Sequence, residues 1–172
     1  FSAEELEEIF KKLDYPFDQD TIPKNIDYYI RRTSHGSTLS RVVHSWVLAR
    51  RNREQSWKLF NQALTSDLMD IQGGTTPEGI HLGAMAGTVD QVQRCYSGIV
   101  IRDDVLWLNP CLPGELSCIC LKMRYRSFSL QIDLCRDKVV VSALRADQNA
   151  IRIGCIDEVR ELTGDDTITF AL

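Results

Sequence analysis

The spacing of apolar residues changes once along this chain. Up to about residue 100 it is helical, and beyond that it takes the shorter period of strands. Leu6, Ile9, Phe10 and Leu13 share one face of an amphipathic helix that starts after Ser2, carries Glu4 and Glu5 in its first turn and closes at Pro16. Pro23 suits the first turn of a second helix, with Ile26, Tyr29 and Ile30 on its apolar side. Leu39, Val42, Val43, Trp46 and Val47 predict a third helix over residues 38–50 with a wide buried face. Trp57, Leu59, Phe60, Leu64 and Leu68 predict a fourth over residues 53–69. A fifth opens on Thr76 as cap and Pro77 as first residue, with Thr75 and Glu78 as a capping box, and runs to Cys95. Gly79, Gly83 and Gly87 in its first half each cost about 1 kcal/mol relative to alanine. Their presence points to a close neighbour.

From residue 99 onward the pattern is of short strands, at 105–108, 116–124, 128–134, 138–144, 151–156, 159–162 and 167–172. The breaks carry turn chemistry, such as Pro113-Gly114, Arg136-Asp137 and Gly164-Asp165-Asp166. Ile119, Leu121, Met123 and Tyr125 alternate with Cys120, Lys122 and Arg124, as a half-buried strand requires. The expected fold is therefore α then β: a helical part over residues 1–100 and a small antiparallel β-sandwich over 101–172. No Gly/Ser/Pro-rich linker separates them, so the two parts are expected to pack together.

Composition narrows the function classes. The chain has 172 residues, 44% hydrophobic and 26% charged, as a soluble globular protein has. Its net charge of −4 gives no basic footprint for nucleic acid. No apolar run approaches the roughly 20 residues of a membrane span, and no leader pattern is visible. The chain opens at Phe1, inside a predicted helix, so it is expected to be a piece of a longer polypeptide. None of the six cysteines forms a CxxC, and all three histidines precede Cys95; no metal site is expected. Cys118 and Cys120 share one strand face, and all six cysteines read as free, buried thiols of a reducing cytosol.

The most informative stretch is Arg32-Thr33-Ser34-His35-Gly36-Ser37-Thr38-Leu39-Ser40. A loop of small hydroxylated residues feeding a helix N-terminus suits an anion, because the first helical N–H groups lack partners and carry partial positive charge. Glycine permits close backbone approach, and Arg31 and Arg32 add charge. An ordinary N-cap with spare hydroxyls accounts for the same residues. The second polar loop, residues 70–81, also feeds a helix, with Glu78 and His81 expected on one helix face. If both loops open on the same end of the helical array, Ser34, His35, Ser37, Thr38, Thr76, Glu78 and His81 line one pocket. The alternative is that Glu78 only caps and His81 is a satisfied imidazole. His44, Trp46 and Trp57 read as core, and Arg50, Arg51 and Arg53 as a solvated helix end. A Ser-His-Asp set from Ser34 or Ser37, His35 and Asp70 has no supporting spacing and no G-x-S-x-G elbow. Apart from Glu78, no carboxylate adjoins both loops as a candidate acid.

Three stretches carry a family resemblance: Asn25-Ile26-Asp27-Tyr28-Tyr29, Thr33-Ser34-His35-Gly36-Ser37-Thr38-Leu39-Ser40, and the run from Glu78-Gly79-Ile80-His81 to Gly87-Thr88. With Arg102-Asp103-Asp104 and Leu106-Trp107-Leu108-Asn109-Pro110, they resemble the C-terminal part of glycoside hydrolase family 65, the maltose, trehalose and kojibiose phosphorylase group. The resemblance implies the final helices of an (α/α)6 barrel followed by a β-sandwich. It implies inverting cleavage of an α-glucoside, with inorganic phosphate as nucleophile and a glutamate as general acid. Phosphate contacts carry over to Ser34, His35, Gly36, Ser37 and Thr38, and Thr76, Glu78 and His81 are the further pocket candidates. Family hydrolases are expected to hold a water-activating carboxylate near His35. An imidazole there tolerates a phosphate dianion, which a carboxylate repels. The general acid is expected upstream of Phe1, and the family's Lys-Gln sugar-binding pair is absent, so the chain alone is expected to be inactive. The implied partners are an α-linked glucose disaccharide, phosphate and the rest of the parent chain, with a homodimer left open. No cofactor, no nucleic acid and no membrane is implied, and the expected location is cytoplasmic. A family hydrolase using water, or a non-catalytic anion- or carbohydrate-binding module, remains an alternative. Exposed apolar surface is expected on the helical part, where barrel partners belong.

Overall fold

A computed structural model describes residues 3–34, 36–145 and 149–172. The predicted cap Ser2, His35 of the hydroxyl loop, and residues 147 and 148 in the expected break between the strands at 138–144 and 151–156 lie outside them. Among the described residues five α-helices come first: α1 (Ala3–Lys12), α2 (Thr21–Ile30), α3 (Thr38–Leu48), α4 (Arg53–Leu64) and α5 (Leu82–Asp90). Eight strands follow: β1 (Ile99–Arg102), β2 (Val105–Leu108), β3 (Cys118–Tyr125), β4 (Phe128–Cys135), β5 (Lys138–Arg145), β6 (Ile151–Cys155), β7 (Glu158–Leu162) and β8 (Thr167–Ala171). This is the expected order of helices and then sheets.

Side chains that satisfy free N–H groups set the helix starts. Ser37, with extended backbone, accepts from the Leu39 N–H at 3.2 Å and caps α3. Asn52 accepts from the Gln55 N–H at 3.0 Å and caps α4. The short link between α3 and α4 makes them an antiparallel pair. Two buried serines then bring their backbones together. Ser45 Oγ donates to the Ser56 carbonyl and Ser56 Oγ to the Ser45 carbonyl, each at 2.6 Å. The Tyr96 hydroxyl lies 3.1 Å from Ser56 Oγ, and the Gln91 amide donates to Ser45 Oγ. This polar cluster ties α3 and α4 to the segment after α5.

Two helices depart from the sequence pattern. α4 ends at Leu64, short of residue 69, which leaves Leu68 84% exposed. The predicted fifth helix is broken at its start. Thr76–Glu78 forms one 3-10 turn, Gly79 takes φ +126°, and α5 begins only at Leu82. Thr75 makes no capping hydrogen bond, so the expected capping box is absent, and Glu78 does not share a helix face with His81. Asp70 has taken the donors instead: the Gly74 N–H at 2.7 Å, the Thr76 N–H at 3.3 Å and the Thr76 hydroxyl at 3.1 Å. At its far end α5 widens into a π-helix, Gln91–Tyr96, that turns Gln91, Cys95 and Tyr96 inward.

For Gly83 and Gly87 the predicted close neighbour is α3, whereas Gly79 lies before the helix with nothing within 4 Å of its Cβ position. A Cβ on Gly83 would sit 3.3 Å from Leu39 Cδ2, and one on Gly87 would sit 2.6 Å from Val42 Cγ1. The order of these contacts makes α3 and α5 parallel, so their N-termini lie side by side. The wide buried face expected of α3 is only partly covered. Val42 is buried and Trp46 half-buried, but Leu39, Val43 and Val47 are exposed, as are Leu82 and Val89 on α5. The helical part thus carries the apolar surface expected of it. The arginines after α3 are not simply solvated: Arg50 donates to the Asn109 carbonyl at 2.9 Å and Arg51 pairs with Asp27 at 2.6 Å.

The strands form two four-stranded sheets, ordered β1-β2-β6-β7 and β3-β4-β5-β8. β1 and β2 are joined by Asp103-Asp104, both at positive φ, as a two-residue hairpin with the right twist requires. The first sheet is not wholly antiparallel, because β2 and β6 pair parallel, with Leu106 opposite Ile153. The chain builds most of the second sheet between these two strands. In β3 the inward residues are Ile119, Leu121, Met123 and Tyr125, as their alternation predicts. One apolar core joins Leu106 and Ile153 of the first sheet to Leu130, Ile132, Val141 and Phe170 of the second. Ala49, Phe60 and Tyr96 of the helical part enter the same core, so the two parts pack together.

The six cysteines are not all free. Cys118 and Cys135 face each other across the β3–β4 ladder and form a disulfide. Sequence spacing compared Cys118 with its neighbour Cys120, whereas strand register sets its partner. Cys95, Cys111 and Cys155 are buried free thiols, and Cys120 is an exposed one. Among the described residues no helix is long and apolar enough to cross a membrane.

Candidate anion site

Parallel α3 and α5 bring both polar loops to one end of the helical layer. Ser34, Gly36 and Ser37 are exposed in the first loop, and Thr38 is buried at the start of α3. The loop folds tightly, with the Gly36 N–H donating to the Ser34 carbonyl at 2.8 Å. The Ser40 hydroxyl returns to the Ser37 carbonyl at 2.8 Å. The second loop reaches across through Gln72. With its amide assigned so that oxygen accepts and nitrogen donates, Gln72 accepts from Arg41 at 2.6 Å and from the Thr38 N–H at 3.3 Å. It donates to the Gly36 carbonyl at 3.3 Å.

The first turn of α3 is therefore occupied from within: Ser37 Oγ takes the Leu39 N–H, the Ser37 carbonyl the Ser40 N–H, and Gln72 the Thr38 N–H. Among the described residues, the hydroxyl protons of Ser34 and Ser37 and the Arg41 guanidinium remain open to an anion. Arg32, expected to add charge, is turned back on α2: it donates to the Tyr28 carbonyl at 3.1 Å and lies 3.7 Å over the Tyr28 ring. Thr33 likewise closes α2 through the Tyr29 carbonyl.

In the second loop, two aspartates hold the backbone. Asp70, at φ +45°, is kept below the ordinary carboxylate range by the Gly74 N–H first and the Thr76 N–H second. Asp70 is thus committed to its own loop, and the His35 of the Ser-His-Asp candidate lies outside the described residues. Asp67 accepts from the His81 backbone N–H at 3.0 Å and meets the His81 Nδ1 in a short hydrogen bond. That side-chain hydrogen bond is the main reason its carboxyl is also held low. Of the pocket candidates, Thr76 and His81 are thus fixed by aspartates, while Glu78 stands exposed on the 3-10 turn. Asp67, Gln72 and Arg41 escaped the sequence reading. Asp67 is 14 residues from His81, with no local signal. Asp70 followed by Gly73-Gly74 is the kind of carboxylate-and-turn pattern that announces its role.

Two family profiles match the chain. The profile for the glycosyl hydrolase family 65 central catalytic domain covers residues 3–90, and that for the family 65 C-terminal domain covers residues 99–162. The chain belongs to glycosyl hydrolase family 65. An uncharacterized glycosyl hydrolase of Mycobacterium tuberculosis is 45% identical over 97% of this chain and 13% of its own length. Trehalose 6-phosphate phosphorylase of Lactococcus lactis is 30% identical over 81% of this chain and 18% of its own. A solved human-microbiome structure carrying a provisional kojibiose phosphorylase name superposes with TM-score 0.75 at 25% identity, over 91% of this chain and 20% of that one. The chain therefore spans between about an eighth and a fifth of these family 65 relatives. Its helices match the catalytic-domain profile and most of its strands the C-terminal one.

Proposed function

We propose that the chain supplies the phosphate half of a family 65 phosphorylase site, in which phosphate displaces one sugar of an α-linked glucose disaccharide with inversion. The supporting observation is the convergence of the two loops: α3 and α5 run parallel, and Gln72 of the second loop hydrogen-bonds the first turn of α3. Ser34, Gly36, Ser37 and Thr38 contribute hydroxyls and a close-approach backbone, His35 the imidazole, and Arg41 a full positive charge. Thr76, Glu78 and His81 line the facing loop. A dianion at a helix N-terminus is stabilised by the dipole and by charge-assisted hydrogen bonds. The relatives named as phosphorylases act on disaccharide substrates of this class by name.

In this reading the chain holds and orients the nucleophile, and the proton donor to the leaving sugar lies in sequence outside it. The exposed Leu39, Val43 and Val47 of α3 face further barrel helices. The chain alone gives no turnover with α-linked disaccharides and phosphate; product release by the pure chain would sink this part.

One observation favours a non-catalytic reading. The first-turn N–H groups of α3 already have partners, as in an ordinary cap. Soaking crystals of the chain in phosphate separates the two. An anion within hydrogen-bond distance of Ser34, Ser37 and Arg41 supports the phosphate half-site; an unchanged loop with Gln72 in place supports the cap.

A further inference from the structure

The loop before α5 holds His81 in an unusual way. A single carboxylate, Asp67, reaches both its main chain and its ring: Oδ2 accepts the backbone N–H at 3.0 Å and Oδ1 meets Nδ1. An ionised carboxylate has no proton to give, so Nδ1 must be the donor. The neutral ring then carries its proton on Nδ1, and Nε2 is left with its lone pair. Among the described residues Nε2 has no hydrogen-bond partner, and the side chain is 31% exposed against 14% for Asp67. The carboxylate is thus the more buried of the two and the ring the more open. The clamp also fixes χ1 and ring direction together, because it grips the same residue at two points. His81 immediately precedes α5, whose Gly83 packs on Leu39 at the start of α3, so the ring stands at the end where both loops meet.

We infer that Asp67 is a positioning residue: it holds His81 as the Nδ1–H tautomer and presents Nε2 to the anion of the two-loop site. This rests on the phosphate half-site reading for its ligand, but not for its geometry. Neutral Nε2 accepts a hydrogen bond from a phosphate monoanion, and once protonated it donates to the dianion. Without Asp67 the ring is free to take the other tautomer and to swing. Nothing in the local sequence joins the two residues; the turn after α4 brings them together.

The test is a tautomer measurement on the chain itself. Ring-nitrogen NMR of His81 in its neutral form should show Nδ1 protonated and Nε2 bare. In Asp67→Asn the amide puts one acceptor and one donor where two acceptors stood. With its oxygen kept on the backbone N–H, its nitrogen faces Nδ1, and the ring should shift to the Nε2–H form. Asp67→Glu, which keeps two acceptors, should retain the Nδ1–H form. Inorganic phosphate is then titrated into each folded variant. Relative to the native chain, the Asn variant, whose Nε2–H donates and cannot accept, should favour the phosphate dianion over the monoanion by roughly tenfold, the scale of one hydrogen bond to a charged group. A purely structural aspartate would alter stability without reversing the tautomer. An Nε2–H ring in the native chain, or one indifferent to Asp67→Asn, overturns the inference. If the native tautomer is as stated and reverses, but phosphate perturbs neither His81 nor residues 34–38, the clamp stands and the phosphate reading fails.

Discussion

Replacing Gly98 by alanine tests how the helical part is joined to the sandwich. Gly98 lies between the π-helix and β1 at φ +64°. A Cβ there would fall 2.0 Å from the Asn109 carbonyl oxygen and 2.4 Å from its carbon. The carbonyl cannot simply retreat. Its oxygen accepts from Arg50 at 2.9 Å, the Asn109 N–H donates to Gly98 at 3.2 Å, and Asn109 Oδ1 accepts from the Ile156 N–H at 2.9 Å. Left-handed backbone costs alanine about 1–2 kcal/mol, and relieving the overlap costs about 1–3 more. Losing one of the Asn109 hydrogen bonds adds about 1. The expected loss is about 3–6 kcal/mol, a large share of the roughly 5–15 that holds a domain folded. Urea unfolding followed by tryptophan fluorescence reads this directly. With a slope of about 2 kcal/mol per molar, the midpoint should fall by about 1.5 M or more. Gly114→Ala is the control: no heavy atom lies within 4 Å of its Cβ position, and it should stay within about 0.5 kcal/mol. Equal shifts in the two variants, or a loss below about 1 kcal/mol for Gly98→Ala, would refute the argument.

Gly87→Ala should destabilise despite the roughly 1 kcal/mol of helix propensity it gains, because its Cβ meets the stiff, buried Val42 at 2.6 Å. Adding Val42→Ala should recover part of the loss, and strictly additive urea midpoints would contradict the close α3–α5 contact. Thiol titration of the denatured chain without reductant should count four thiols, and six after reduction. Removing the Cys118–Cys135 bond, with its sequence separation of 17, should cost about 3 kcal/mol by loop entropy; six thiols at the outset would exclude the bond. The Asp70 carboxyl is depressed by the Gly74 and Thr76 N–H groups. Its contribution to stability is therefore present above the ordinary aspartate value of about 3.9 and is lost as pH falls through the lower folded value. The Gly74 and Thr76 amide signals should titrate with a midpoint below that ordinary value, and a midpoint above it would contradict the loop geometry.

What the sequence disclosed follows from how local each signal is. An N-cap within the hydroxyl loop, which Ser37 supplies, and the inward face of β3 rest on neighbours a few residues apart, and both are legible. The small residues of α5 announce a tight contact, and Gly83 and Gly87 supply it by packing against α3. The fifth helix was misplaced because Thr75, Pro77 and Glu78 carry good local capping chemistry, which the Asp70 carboxylate overrides through tertiary hydrogen bonds. β1 went unread because its four residues end at two aspartates that look like loop until β2 pairs with them. The disulfide, the Asp67–His81 clamp and the Gln72 bridge join residues 14 to 36 positions apart, and only the fold reveals such pairs. The hydroxyl loop was visible from its composition; that its first-turn donors already have partners was not.

The central claim is that the two loops together hold phosphate. Inorganic phosphate titrated into the labelled chain at constant ionic strength, with chloride as control, tests it most directly. The account predicts saturable shifts confined to residues 34–38, Arg41 and His81, and weakened about tenfold by Arg41→Ala, the scale of one charge-assisted hydrogen bond. Shifts spread evenly over surface cations, or none at these residues when phosphate and chloride are compared, would contradict it.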